Sequence, residues 1–278
     1  MTNHIKDKVI VITGAGGGFG RLIAQKAAAL GGKIVCADID ETGLIETVRG
    51  ISAQEGVASY VVASVAVLEQ MQAVAAHAIK THGAIDVMVN NAGTMPLAFF
   101  ADHKAAGEAW SRCIDVNFKG VLNGITCVYD QMMSQGRGHV VNLSSIYGNF
   151  PVVGAGVYGA TKTAVNFLSE SLRVEAQGKI KVTIIKPTGV PGTGLGTGII
   201  NSDAIIGILG QNAASYGGVM ASLAEGNNSP ELRDPESPQY AALEPTYIAD
   251  AVITAINQPW GVSLGDITVR ATGDGYIL

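Results

Sequence analysis

Short apolar, β-branched runs recur along the chain at residues 9–12, 34–37, 60–62, 87–89, 140–143, 182–185 and, more weakly, 267–269. Runs of that length without polar alternation predict strands buried on both faces. Between them the apolar positions take helical spacing, at 22–30, 68–80, 110–135 and 164–175, and again at 246–257. Each such segment is long enough to carry a crossover between parallel strands. The alternation predicts a Rossmann-like, doubly wound α/β fold with a parallel sheet covered by helices. Ligands then bind beyond the carboxyl ends of its strands.

The rhythm lapses after Lys186 and resumes only at 246. Residues 189–223 mix many glycines with Leu, Ile, Val and Met, and 225–240 are polar and proline-bearing. The segment at approximately 189–245 is expected to be a substrate lid, the plainer alternative being a surface excursion packed on the domain. The 278 residues, 47% hydrophobic and 15% charged, fit a single domain over 1–278 with that segment inserted. A net charge of −5 without a long basic run argues against nucleic acid as a partner.

Three scattered cysteines, Cys36, Cys113 and Cys127, read as buried reduced thiols, and the five histidines lack metal-ligand spacing, so no metal is expected. The apolar run after the polar start is too short for a signal-peptide core, and no stretch approaches a membrane span. A soluble cytoplasmic protein with no membrane partner is the expectation.

Chemistry enters with the turn after the first run, Thr13-Gly14-Ala15-Gly16-Gly17-Gly18-Phe19-Gly20, which opens a helix. Glycine permits positive φ and lets backbone N–H groups approach a pyrophosphate, which the positive helix end then favours. Alone, such a run is more often a tight turn before a close-packed helix than a nucleotide site. Asp38 ends the second run, where a carboxylate can accept hydrogen bonds from both hydroxyls of a ribose, with Ile39 beside it. That carboxylate would repel a 2′-phosphate, and the turn holds no Arg or Lys to offset it, so NAD is expected over NADP.

Tyr158 and Lys162 lie four residues apart, so on a helix they share a face. A cation beside a phenol is expected to lower its pKa and fit it for proton exchange with a substrate oxygen. The pair Ser144-Ser145 follows the fifth run and faces the same crevice, Ser145 being placed to polarise a carbonyl and Ser144 to cap the next turn. No GxSxG elbow suggests a hydrolase.

Together these features resemble the short-chain dehydrogenase/reductase family, in order from residue 9 to about 187. The TGxxxGxG turn matches Thr13 to Gly20, NNAG matches Asn90, Asn91, Ala92 and Gly93, the family's asparagine falls on Asn117, and Ser145, Tyr158 and Lys162 complete the set. The resemblance implies about seven parallel strands, Tyr158 as general acid/base, Ser145 on the substrate oxygen, Lys162 on the nicotinamide ribose, and Asn117 in a proton relay. It also implies cofactor contacts at Pro187, Gly189, Val190 and Thr193, and a homodimer or homotetramer through helices 110–135 and 164–175. Two departures stand out: Ser64-Val65 where relatives carry Asp-Val at the adenine, and Thr188 where Pro-Gly is usual.

The expected activity is reversible hydride transfer between NAD(H) and an apolar secondary alcohol or ketone, with Met95, Ser145, Tyr147, Phe150 and Tyr158 at the substrate. Pro96, Phe99 and Phe100 flank the same region. A non-catalytic NAD-binding assembly or sensor protein is the alternative, opposed by the complete Asn117, Ser145, Tyr158 and Lys162 set. An NAD-dependent epimerase or dehydratase is a third reading, for which little chain remains after Pro187.

Overall fold

The computed structural model describes residues 2–226 and 229–277. The strands are β1 (Val9–Thr13), β2 (Lys33–Asp38), β3 (Val57–Val62), β4 (Val87–Asn90), β5 (Gly138–Leu143), β6 (Ile180–Pro187) and β7 (Asp266–Val269). They form one parallel sheet in the order β3-β2-β1-β4-β5-β6-β7. All seven expected runs are strands.

Every residue of β1, β4 and β5 is buried, because helices cover both faces. Alternate side chains enter two cores, Ile10, Ile12, Ile34 and Cys36 on one side, Val9, Val11, Val35 and Ala37 on the other. The first core is closed by α1 (Gly18–Ala29), α2 (Glu41–Ser52) and α8 (Pro245–Ile256). The second lies under α3 (Leu68–His82), α5 (Gly120–Gln135) and α6 (Gly156–Glu175). Among the described residues, no helix is long and apolar enough to cross a membrane.

Besides α6, which starts at Gly156 where 164 was expected, three stretches depart from the expectation. Helix α2 was not foreseen: it starts where the Asp40 side chain accepts from Gly43 N, and it buries Leu44, Thr47 and Ile51. The expected long helix 110–135 is α4 (His103–Cys113) running into α5 through one wide turn at Ile114–Lys119, where Gly120 N donates five residues back to the Asp115 carbonyl. The segment before 246, where no strand or helix was read from the sequence, contains short tight helical turns and the helix α7 (Ala213–Glu225).

Candidate functional site

The order of the sheet reverses between β1 and β4, whose chains leave in opposite directions and open a crevice at their carboxyl ends. Thr13 and Asn91 hold its two lips together. Thr13 Oγ1 accepts from Asn91 N at 3.0 Å and Ala92 N at 3.2 Å, and Asn91 Nδ2 donates to the carbonyls of Thr13 (2.9 Å) and Gly14 (3.2 Å). The chain then turns at Gly14, whose φ is +65°, and packs back on Gly20, where a Cβ would stand 2.1 Å from the Gly14 carbonyl oxygen.

At Gly17 and Gly18 an added Cβ would meet nothing within 4 Å, so backbone alone walls the crevice there. The amino end of α1 carries no side-chain cap and no acid in its first turn. Unsatisfied N–H groups and an open wall fit a pyrophosphate. Gly16 and Gly20, expected as cofactor contacts, lie behind this wall and do not line the cavity. They shape the turn.

Asp38 is held at the rim. Its Oδ2 accepts from Gly16 N at 2.9 Å and its Oδ1 from Asp40 N at 3.0 Å, which leaves each oxygen a further lone pair. Arg21, just after the turn, is a residue that sequence reasoning missed. Its guanidinium donates to the carbonyls of Gly16 and Gly43 and to Thr47 Oγ1, and pairs with Glu46 at 2.9 Å. Arg21 thus ties the turn to α2, and its charge is already countered.

Tyr158 and Lys162 lie one turn apart in α6, both buried, with Ser145 at the end of β5. Close packing holds α6 here: a Cβ on Gly159 would come within 2.9 Å of the Tyr147 carbonyl oxygen, and one on Gly148 within 2.9 Å of the Lys162 backbone. Ser144 also lines the cavity, and its Oγ donates to the Lys162 carbonyl at 3.3 Å, which ties it to the helix. Lys162 Nζ donates to the Leu143 carbonyl at 2.8 Å and lies 5.7 Å from the centre of the Tyr158 ring.

Burial pushes the Tyr158 phenol above its ordinary pKa, with the hydrogen bond to Ser145 opposing. Burial also brings the Lys162 ammonium down to about 8. The expected lowering of the tyrosine by the lysine is not found: desolvation dominates, and Ser145 is the residue that favours the phenolate.

Asn117 sits in the wide turn between α4 and α5, fully buried. Its Oδ1 accepts from Thr94 N at 2.8 Å, and its Nδ2 donates to the Thr94 carbonyl (2.9 Å), Cys113 Sγ (3.2 Å) and Thr161 Oγ1 (3.2 Å). Thr161 Oγ1 in turn donates to the Tyr158 carbonyl at 2.7 Å. The Asn117 side chain does not reach the cavity. It links the NNAG strand end, the wide turn and the Tyr158 helix. Cys113 and Thr161 were given no part in the site by sequence.

One cavity of about 800 Å³ joins these features. Gly14, Gly17, Gly18, Phe19, Asp38 and Ile39 line one end, followed by Ser64, Val65, Asn91, Ala92 and Gly93. Ser64 N donates to Gln70 Oε1 at 2.6 Å, and the Ser64 hydroxyl accepts from Ala66 N at 3.3 Å in the turn that leads into α3. Ser145, Tyr147, Tyr158, Lys162 and Met95 stand in the middle, facing Pro187, Thr188, Gly189, Val190 and Thr193. The far end is closed by Ile199, Ile205, Ile208, Met220, Leu223 and Tyr276. Phe150, expected at the substrate, is 64% exposed and outside the cavity, because the tight turn Ile146–Gly148 directs the following residues outward. Pro96, Phe99 and Phe100 also lie off its walls.

The family model of the short chain dehydrogenases matches residues 8–202. The chain belongs to this family. An uncharacterized oxidoreductase of Listeria monocytogenes is 34% identical over 275 residues, covering 98% of this chain and 99% of the relative. One from Staphylococcus epidermidis is 31% identical over 267 residues, covering 96% and 98%. Among solved structures, a short-chain dehydrogenase/reductase from Burkholderia phymatum in complex with NAD is similar at TM-score 0.74 and 29% identity, covering 96% of this chain and 90% of that one. A metagenomic short-chain oxidoreductase in complex with NADP gives 0.73 and 26%, covering 97% and 99%. This short-chain dehydrogenase is thus an oxidoreductase of the family. The matched span holds the glycine turn, Asn117, Ser145, Tyr158 and Lys162, whereas Met220, Leu223 and Tyr276 lie beyond it.

Proposed function

We propose that this short-chain dehydrogenase interconverts an apolar secondary alcohol and its ketone with NAD(H), Tyr158 serving as general acid/base. The observation that carries the reading is the continuity of one cavity from Asp38 to Ser145, Tyr158 and Lys162. Its substrate end is walled by aliphatic side chains, which favours an apolar skeleton. Held by the glycine turn, Asp38 and Lys162, NAD(H) would supply the hydride acceptor for oxidation of the alcohol carbon and the hydride donor for reduction of the ketone carbon. Tyr158 takes the hydroxyl proton in oxidation, as C–H and O–H bonds break and the carbonyl forms, and gives it back in reduction. Ser145 donates to the same oxygen, and Lys162 holds the nicotinamide ribose. Asn117 holds Thr94 and Thr161 in register. Segment 189–245 acts as the lid, supplying Ile199, Ile205, Ile208, Met220 and Leu223 to the cavity. The test is growth of absorbance at 340 nm with apolar secondary alcohols and NAD at alkaline pH. Silence across such a panel, with NADH bound, would sink the reading.

The cofactor is NAD rather than NADP in this reading, supported by the free lone pairs of Asp38 and the countered charge of Arg21. A phosphate charge about 5 Å from a carboxylate costs roughly 3 kcal/mol at an effective dielectric near 20. Asp38→Asn is therefore expected to raise the ratio of kcat/KM for NADP over NAD by about a hundredfold. An unchanged ratio would remove Asp38 from cofactor choice.

A homo-oligomer is also proposed. Phe167 (76% exposed) and Val174 (61%) stand out from α6, and Phe100, Ile114, Phe118 and Val157 line an apolar groove beside it. Large exposed apolar side chains on two neighbouring helices fit a self-complementary interface. Phe167→Glu is expected to shift sedimentation toward the monomer. A wild-type protein that already sediments as a monomer would refute the interface.

A further inference from the structure

The substrate end of the cavity has a polar feature that its aliphatic walls do not account for. After β7 the chain turns back and is pinned along its length. Arg270 Nη2 donates to Asp274 Oδ1 at 2.7 Å and to the Tyr276 carbonyl at 2.9 Å. Gly273 N donates to the Tyr240 carbonyl, Asn212 Nδ2 to the Gly275 carbonyl, and Ile277 N to the Ile208 carbonyl. At Gly275 a Cβ would come 2.4 Å from the Tyr216 ring, so the tail passes at closest approach.

This fixes the Tyr276 side chain. Its ring meets Tyr216 edge-on at 5.9 Å between centres, and its hydroxyl lies where a Cβ on Gly189 would be. The Tyr276 hydroxyl donates to Met220 Sδ at 3.7 Å, and a thioether is a weak acceptor. A phenol taken from water to such a partner is poorly compensated, and a carbonyl or ether oxygen would serve it better.

Tyr147 stands between Tyr276 and the site of hydride transfer. Its ring meets that of Tyr158 at 5.5 Å, and besides burial both Tyr158 and Tyr276 raise its pKa. Burial, Tyr216 and Asp274 likewise push the Tyr276 phenol upward, so it stays a neutral donor. Among the residues lining the cavity, Asp38 and Lys162 are the charged ones, and neither belongs to the far wall. A carboxylate or ammonium on the substrate would find no counter-charge there.

We propose that Tyr276 is a specificity residue whose hydroxyl donates to a second, uncharged oxygen of the substrate. The preferred substrate is then an apolar ketone or alcohol with an ether, ester or further carbonyl oxygen on the same skeleton. This rests on the dehydrogenase reading above. The reacting oxygen meets Ser145 and Tyr158; the second one replaces Met220 Sδ as the acceptor of Tyr276.

The test uses cyclohexanones substituted at positions 2, 3 or 4 with methoxy, each against its ethyl isostere, with NADH. The wild type is expected to favour at least one methoxy ketone over its isostere about tenfold in kcat/KM, the worth of one hydrogen bond. Tyr276→Phe is expected to abolish that preference, and Met220→Leu, which removes only the competing sulfur, to retain it. Calorimetric titration of the NAD-loaded protein with the same ketones, a combination that cannot react, should show the same ranking. NADH binding and the melting temperature establish that each variant is folded.

Equal treatment of methoxy and ethyl ketones by the wild type, or a preference that survives in Tyr276→Phe, overturns the inference and leaves the dehydrogenase reading standing. Equal losses in both variants would attribute the preference to shape and overturn it too. Turnover of none of these ketones, together with no binding to the NAD-loaded protein, overturns both.

Discussion

Replacing Tyr158 by phenylalanine is expected to lower kcat by about a thousandfold, within the range for loss of a general acid/base, while NADH affinity stays within about twofold. Phenylalanine fills the same space, edge-on to Tyr147, in a position only 3% exposed. What disappears is the hydroxyl that shares a hydrogen bond with Ser145. Stopped-flow absorbance at 340 nm gives the rate, and NADH fluorescence gives the affinity. A variant that kept most of its rate would exclude Tyr158 as the proton carrier. The wild-type profile carries a sign as well. Burial raises the Tyr158 pKa, the base form is the deprotonated one, and oxidation is therefore expected to climb as pH rises through the alkaline range.

The second large effect concerns the turn that holds the nucleotide. Gly20→Ala is expected to cost about 3 kcal/mol of stability, as overpacking against backbone does. The new Cβ would stand 2.1 Å from the Gly14 carbonyl oxygen and 2.7 Å from Asn91 Nδ2, so the turn must open. Denaturant unfolding measures the loss. Gly17→Ala makes the contrast: its φ of −167° is extended backbone open to any residue, and its Cβ would meet nothing within 4 Å. That variant should melt like the wild type yet bind NADH at least tenfold more weakly, because the methyl enters the cavity. If the two variants lost stability equally, the division between a structural and a ligand-facing glycine would be wrong.

The sheet was legible because its strands are buried on both faces and so appear as unbroken β-branched runs. Helix α2 was not, since Gly43 and Gly50 interrupt it, although Leu44, Thr47 and Ile51 keep a helical spacing after the Asp40 cap. Helix α7 hid for a related reason: Gly217 and Gly218 sit mid-helix, and it has no charged face to contrast with an apolar one. In α6, Gly156 and Gly159 resemble a turn, which moved the expected start to 164 when the helix begins at Gly156.

The site divides in the same way. Motif residues with a local spacing, such as Gly14, Asp38, Tyr158 and Lys162, could be read from sequence. Thr161, Met220 and Tyr276 could not, since only the tertiary fold brings them to Asn117 or to the cavity; Cys113, four residues before Asn117 in the same helical run, does meet it locally. Phe150 misled by nearness in sequence to Tyr147. A turn of a few residues separates inside from outside.

The wide turn at Ile114–Lys119 also sets how the chain tolerates changes of length. It holds one more residue than regular helical geometry would, and by widening it absorbs that residue, so the helix after it escapes the rotation of roughly 100° that an extra residue in a regular helix would cause. Deleting one residue there would let the hydrogen bonds close into an ordinary helix with Val121, Ile125, Val128 and Met132 still facing the sheet, whereas deleting one from the regular turns of α5 would rotate the buried residues after it away. Removing one residue from the polar stretch at 233–238 would disturb only a surface path. Single-residue gaps should therefore be found in homologous genes around the latter and at the wide turn, and be purged from the regular turns of α5, a pattern that no single substitution would show.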